Sequence, residues 1–424
     1  RDSLFVTSLG ELFLTKDHRS AAHGFEQLLD DPNVRESTLY YLAIAFFQMG
    51  KLDDTERYLE QLLKIDESNG RARELLIRCA VVRGDLAQAE TLAKDLAALY
   101  SEEAYPYVIL SQVELLLGDV EAAYSFCNNA LSLDPKYIPA ILCKGNLFAV
   151  EGEPEAARAT FEKLLLFDDA ILTSIGSESV AFVDFLWGRF DDGSDMMDEA
   201  IRNAMLVGSV RRGLYYALNL VDYFCQLGQS DKARAVVDRW FSGFGKIPLE
   251  LAGLKLDIYE GRAESELSLL RDKEADPEWR MWMRLIDFEG DEARALAHIK
   301  NQQYSRAMEI LDAGNIEGIT DEEHSYLRGY AAFENGNAEF ALESFAEVLR
   351  YPRALEFPFH HDPVLYVQAH FYIAEAGMAA GDRETAVKYY ESFIEHWGNV
   401  TWEMQALVRA KDKLHTLTSI SSDN

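Results

Sequence analysis

Gly50, Gly84, Gly118 and Gly152 stand 34 residues apart, and Lys16 holds the same phase one unit earlier. Only 26 of the 424 residues are glycine, so the spacing is not a by-product of composition. A fixed period of this length marks a stack of helix hairpins, because one hairpin cannot bury its apolar face alone and must pack on the next. The fold class it predicts is all-α. It also favours recognition along an extended surface over chemistry in a pocket.

Residues around the phase position repeat as well. Five places on come Ala21, Thr55, Ala89, Ala123 and Ala157; nine places on come Phe25, Leu59, Ala93, Cys127 and Phe161. Eight places before lie Ser8, Leu42, Leu76, Leu110 and Lys144, and sixteen after lie Pro32, Asp66, Tyr100, Asp134 and Asp168. Glycine ends the first helix by taking left-handed backbone angles without steric cost. The polar residue that follows (Lys51, Asp85, Asp119 or Glu153) opens the second helix, where an acid can cap the free N–H groups. The small residue allows close approach within a hairpin, and the larger one fills the gap to its neighbour.

This pattern resembles the tetratricopeptide repeat. The fourth unit carries it best, in Tyr107, Leu110, Glu114, Gly118, Ala123, Cys127, Ala130 and Pro135; the fifth follows with Ile141, Gly145, Phe148, Gly152, Ala157, Phe161 and Leu164. Looser units centre on Trp187-Gly188, Gly228, Gly261, Tyr304, Gly336 and Gly381. The resemblance implies a right-handed α-solenoid of about eleven hairpins closed by a capping helix. The expected divisions are a regular array over 1–245, a less regular continuation over 246–398, and a capping helix with polar tail over 399–424. In that last part Leu407, Ala410, Leu414 and Leu417 make one apolar stripe. A softer resemblance runs from Asp362-Pro363-Val364-Leu365-Tyr366 through Tyr389-Tyr390 to Trp397-Gly398. It is similar to helical-repeat tails of bacterial multidomain signalling proteins.

Lys and Arg number 41 against 72 Asp and Glu, a formal net charge of −31. Nucleic acid and anionic membrane are poor partners for such a surface, since phosphate binding needs clustered cations. Basic or apolar protein segments suit it. The four cysteines, Cys79, Cys127, Cys143 and Cys225, show no metal-ligand spacing and fall in helices. Buried reduced thiols favour a reducing, cytoplasmic compartment. The chain begins at Arg1 rather than Met, so removal of an upstream part, and with it export, is also compatible. No apolar run approaches the ~20 residues that span a bilayer, so membrane insertion is not expected.

Three irregular stretches interrupt the rhythm. Trp240–Pro248 holds two glycines and a proline and reads as a loop; its Gly243-Phe244-Gly245-Lys246 lacks the rest of a phosphate loop. Asp276-Pro277 opens a helix whose Trp279, Met283 and Ile286 share a face, a core stripe. Tyr351 to Pro363 includes His360-His361-Asp362 and reads as a surface loop rather than a metal site. Asp191-Asp192-Gly193-Ser194-Asp195 lacks the alternating ligands of a calcium loop. With no catalytic motif and no cofactor motif, the chain reads as a non-enzyme without cofactor.

In the family that the pattern resembles, the first helix of each hairpin lines the binding groove. That assigns Tyr40, Ile44, Phe47, Tyr105, Val108, Gln112, Leu142, Asn146, Phe182, Phe185 and Tyr215 as peptide-binding residues, with Asp222, Tyr326, Tyr330 and Phe333 in later units. Packing between repeats is the competing role for each. Binders of acidic chain termini in this family use Lys, Arg and Asn from adjacent repeats; Arg71, Arg78 and Asn146 do not make that set. The expected function is a protein-interaction scaffold. The alternative is a regulatory or sensor region of a larger bacterial signalling protein.

Overall fold

The structure, a computed structural model, describes residues 2–13, 17–262, 270, 273, 275–286, 288, 290–314, 322–349 and 362–419. It is all-α: 81% helical, with 23 α-helices and no strand among the described residues. Two compact units divide it, one ending at Glu151 and one starting at Gly152. Lys16 and the His360-His361 pair lie outside the described residues.

The first unit runs α1 (Asp2–Phe13), α2 (His18–Glu26), α3 (Arg35–Gln48), α4 (Leu52–Ile65), α5 (Gly70–Val82), α6 (Leu86–Leu99), α7 (Tyr105–Leu117), α8 (Val120–Leu133) and α9 (Ile138–Val150). Helices pair as hairpins, and each hairpin packs on the next. The repeat phase explains the turns: Gly50, Gly84 and Gly118 all have φ between 71° and 82°. Gly118 ends α7, and the following N–H of Asp119 closes back on Glu114 O at 3.0 Å. Asp85 and Asp119 then cap α6 and α8 by accepting from Gln88 N and Ala122 N. Lys51 makes no such cap. Ala21, Thr55, Ala89 and Ala123 are all fully buried, as are Phe25, Leu59, Ala93 and Cys127, so the small and large positions meet between helices as their spacing predicts. All four cysteines of the chain are buried free thiols.

The second unit starts with α10 (Pro154–Phe161) and a 3-10 turn (Glu162–Leu166). It continues with α11 (Ala170–Leu186), α12 (Phe190–Leu206), α13 (Val210–Gln226), α14 (Ser230–Trp240) and α15 (Lys246–Tyr259). Then come α16 (Pro277–Leu285), α17 (Gly290–Lys300), α18 (Tyr304–Gly314), α19 (Glu322–Glu334) and α20 (Ala338–Leu349). The last are α21 (Pro363–Ala380), α22 (Arg383–Trp397) and α23 (Gln405–Ser419). The loop expected near residue 245 leaves packing unbroken, because α15 lies on both α13 and α14. Asp276 caps α16 by accepting from Glu278 N and Trp279 N. Met283 and Ile286 are buried, and Trp279 is half-buried under the Lys273 ammonium, 4.0 Å from the ring centre. Leu407, Ala410 and Leu417 bury one stripe of α23, which packs on α22.

The first helices of these hairpins do more than stack. In order, α13, α15, α17, α19 and α21 each touch the next, and α21 returns to pack on α13 and α11. Trp397, 1% exposed, donates its indole N–H to Phe185 O at 3.2 Å and sets its ring on Phe190, 5.3 Å between centroids. Trp187 stacks on His396 at 4.7 Å. The second unit therefore closes on itself, joining residues about two hundred positions apart, a connection that a linear array lacks.

Candidate functional site

In the first unit α5 and α7 present matched side chains to one cleft. Arg71, Glu74 and Arg78 follow one another at i, i+3 and i+7, as do Tyr105, Val108 and Gln112, so each trio shares one face of its helix. Between them lies a cavity of about 520 Å³, which Tyr100, Ile109, Tyr137 and Pro139 complete. Gly70 opens α5 close beneath the cleft wall, where a Cβ would stand 2.6 Å from the Tyr105 hydroxyl and displace it. Tyr100 braces that wall; its ring is 5.5 Å from Tyr105 and its hydroxyl donates to Ser68 O.

The electrostatics are those of a partly dry site. Burial lifts the Glu74 carboxyl above its ordinary value, against the pull of Arg78 and Arg71. Burial likewise raises the hydroxyls of Tyr40, Tyr105 and Tyr137, which stay protonated and able to donate. Arg78 lies over the Phe47 ring, 5.5 Å from its centre. Gln112 is 2% exposed, and its amide nitrogen has no hydrogen-bond partner among the described residues. Buried donors are rarely left in that condition without a ligand or water to receive them.

Of the residues expected to bind, Tyr105, Val108 and Gln112 meet in this cleft. Tyr40 stands within electrostatic reach of Arg71, Glu74 and Arg78, and Phe47 lies beneath Arg78. Ile44 packs on the core of the first two hairpins, and Leu142 and Asn146 are buried in α9 outside the cleft lining. Glu74, Tyr137 and Tyr100 are lining residues that the sequence reading missed. The i, i+3, i+7 spacing of Arg71, Glu74 and Arg78 was the signal available for the first.

The second unit gives a different outcome. Phe182 and Tyr215 are half-buried, Tyr215 with its ring 5.9 Å from Tyr216. Phe185 is fully buried, 4.9 Å from the Tyr223 ring, and its carbonyl serves Trp397, so it is a packing residue and not a groove residue. Asp222 pairs with Lys255 at 2.7 Å, and Glu323 reaches the same ammonium at 3.8 Å. Two carboxylates thus hold the Lys255 proton firmly, while burial lifts Asp222. Tyr326 donates to Gln368 Oε1 at 2.8 Å; Gln368 donates to Gln226 O at 3.0 Å, and Gln226 to Asp362 Oδ2 at 2.8 Å. Asp362 also receives the Val364 and Leu365 N–H groups, and burial pushes its carboxyl up to about 7. Phe185, Asp222 and Tyr326, expected to face a partner, are buried here and held by contacts within the unit.

Family models described as tetratricopeptide repeat match residues 15–105, 104–137 and 368–399. No curated protein matches the chain. Among solved structures it is similar to a thermophilic repeat protein of Thermus thermophilus at 24% identity, over 40% of this chain and 91% of that one, with TM-score 0.34. A tetratricopeptide repeat protein from Parabacteroides merdae matches at 16% identity over 59% and 97%, with TM-score 0.36. Yeast Tom70 matches at 14% identity over 92% and 97%, with TM-score 0.36.

Proposed function

Starting from a chain that is a tetratricopeptide-repeat protein, we propose that it is a non-enzymatic scaffold that receives an extended protein segment in the cleft of its first unit. Repeats of this kind generally serve protein interaction. The observation that carries the reading is the cleft of about 520 Å³ between α5 and α7, with aromatic walls and the unpartnered amide of Gln112 at its edge. Tyr105 and Tyr137 offer large apolar area at low rotamer cost, the usual source of binding energy in a small interface. Main-chain carbonyls of an extended segment supply the acceptors that Gln112 and the tyrosine hydroxyls need. The negative charge of the whole chain suggested a basic or apolar occupant. At the cleft two guanidiniums face one carboxyl, so the apolar half of that expectation is kept and the basic half is not.

The test is selection of short peptides on immobilised full-length chain, followed by affinity measurement on Tyr105→Ala, and on Tyr215→Ala as a second-unit control. Selected peptides are expected to weaken about tenfold or more on Tyr105→Ala, the loss of one buried aromatic anchor, and to keep their affinity on Tyr215→Ala. Equal affinity for wild type and Tyr105→Ala, with helical content unchanged, would overturn the reading.

A further inference from the structure

We propose that the segment held in the first-unit cleft carries an internal acidic side chain, received by Arg71 and Arg78 while the amide of Gln112 binds an adjacent main-chain carbonyl. This rests on the reading of the cleft given above and adds the chemistry of its occupant.

The donor inventory argues it. In a chain of net charge −31, the cleft is lined by two arginines and a single carboxyl. Arg71 is exposed and in no ion pair among the described residues, and Glu74, one turn away, makes none either. Glu74 is also the weaker counter-charge, because burial favours its neutral form. The wall adds three further donors, the Gln112 amide nitrogen and the protonated hydroxyls of Tyr105 and Tyr137, while the Tyr100 hydroxyl is committed to Ser68 O. A wall of donors is satisfied by a ligand rich in acceptors, and a carboxylate against guanidinium gives the strongest such bond. Arg71 and Arg78 act on Tyr40 together with Glu74, and Glu103 acts on both Tyr105 and Tyr137. A free chain terminus is not required, since nothing in this donor set distinguishes a terminal from a side-chain carboxylate.

Three pools of short synthetic peptides test this, each rich in Tyr, Leu and Pro and amidated at the C-terminus so that no terminal carboxylate is present. One pool contains Glu and Asp, one Gln and Asn, one Lys and Arg. Retention is read on the full chain and on Arg71→Gln, Arg78→Gln, Glu74→Gln and Tyr105→Ala, each checked for unchanged helical content. The acidic pool should be retained preferentially. Its members should lose about tenfold on each arginine variant, the loss of a charge-assisted bond. They should gain on Glu74→Gln, which removes the one competing carboxylate from the lining. Retention of the neutral or basic pool that depends on Tyr105 but not on the arginines would overturn the acidic occupant and leave the cleft reading standing. Retention of every pool unchanged on Tyr105→Ala, or of none, would overturn both.

Discussion

Replacing Gly118 separates backbone strain from packing, because nothing lies within 4 Å of where its Cβ would stand. Its φ of 82° and ψ of 6° are left-handed, so an L side chain is disfavoured whatever the available space. That conformation costs an L-residue about 1–2 kcal/mol. Loss of glycine entropy in the unfolded chain returns about 0.4–1 kcal/mol for alanine. Gly118→Ala should therefore destabilise by about 1 kcal/mol. Gly118→Asn should cost less, since asparagine tolerates this region, and Gly118→Val should cost more, since branching at Cβ adds strain. Gly329→Ala provides the contrast. Its Cβ would lie 2.9 Å from ring atoms of Phe345, which is fully buried and has nowhere to go. Overpacking there should cost about 1–3 kcal/mol. Urea denaturation followed by far-ultraviolet circular dichroism reads all four. Equal midpoints for the asparagine, alanine and valine variants of Gly118 would refute the argument, because only the left-handed backbone orders them.

Burial and neighbouring His396 depress the His370 imidazole from 6.5 to about 4, so the folded chain refuses a proton that the unfolded chain accepts between those values. Stability contributed there is complete above pH 6.5 and is lost as pH falls toward 4, and His370→Gln should flatten that part of a melting-temperature profile. Lys255→Met leaves the buried Asp222 without its cation and should cost about 3–5 kcal/mol by urea denaturation. Adding Asp222→Leu to it should restore much of that loss, and a double variant no better than the single one would count against the pair.

The hairpins were legible because their turns obey local chemistry. The glycines read as helix ends (Gly50, Gly84, Gly118, Gly152, Gly188, Gly228, Gly261, Gly336 and Gly381) all have positive φ, and Asp85, Asp119 and Asp382 cap the helices that follow. In the unit centred on Tyr304 no glycine marks the turn, because Gln302, with φ of 59°, takes its place. Three residues of the cleft wall were legible too, since the resemblance places the first helix of each hairpin, and with it Tyr105, Val108 and Gln112, in the groove. Closure of the second unit was not. Phe185 reads identically whether its helix borders an open groove or another helix of the same unit. Trp397 gives no local sign that its partner lies at Phe185, 212 residues earlier. Glu74 was passed over because a carboxyl among 72 acidic residues is uninformative until burial singles it out.

Closure of the second unit takes Phe185, Asp222 and Tyr326 into its interior. A double-mutant cycle on Trp187 and His396 measures it directly, with both residues half-buried and their rings stacked at 4.7 Å. In a closed unit Trp187→Ala and His396→Ala should couple by about 0.5–1.5 kcal/mol, the worth of a stacked aromatic pair. In a linear array these positions belong to distant repeats and act independently. A coupling within about 0.3 kcal/mol of zero would contradict the closure.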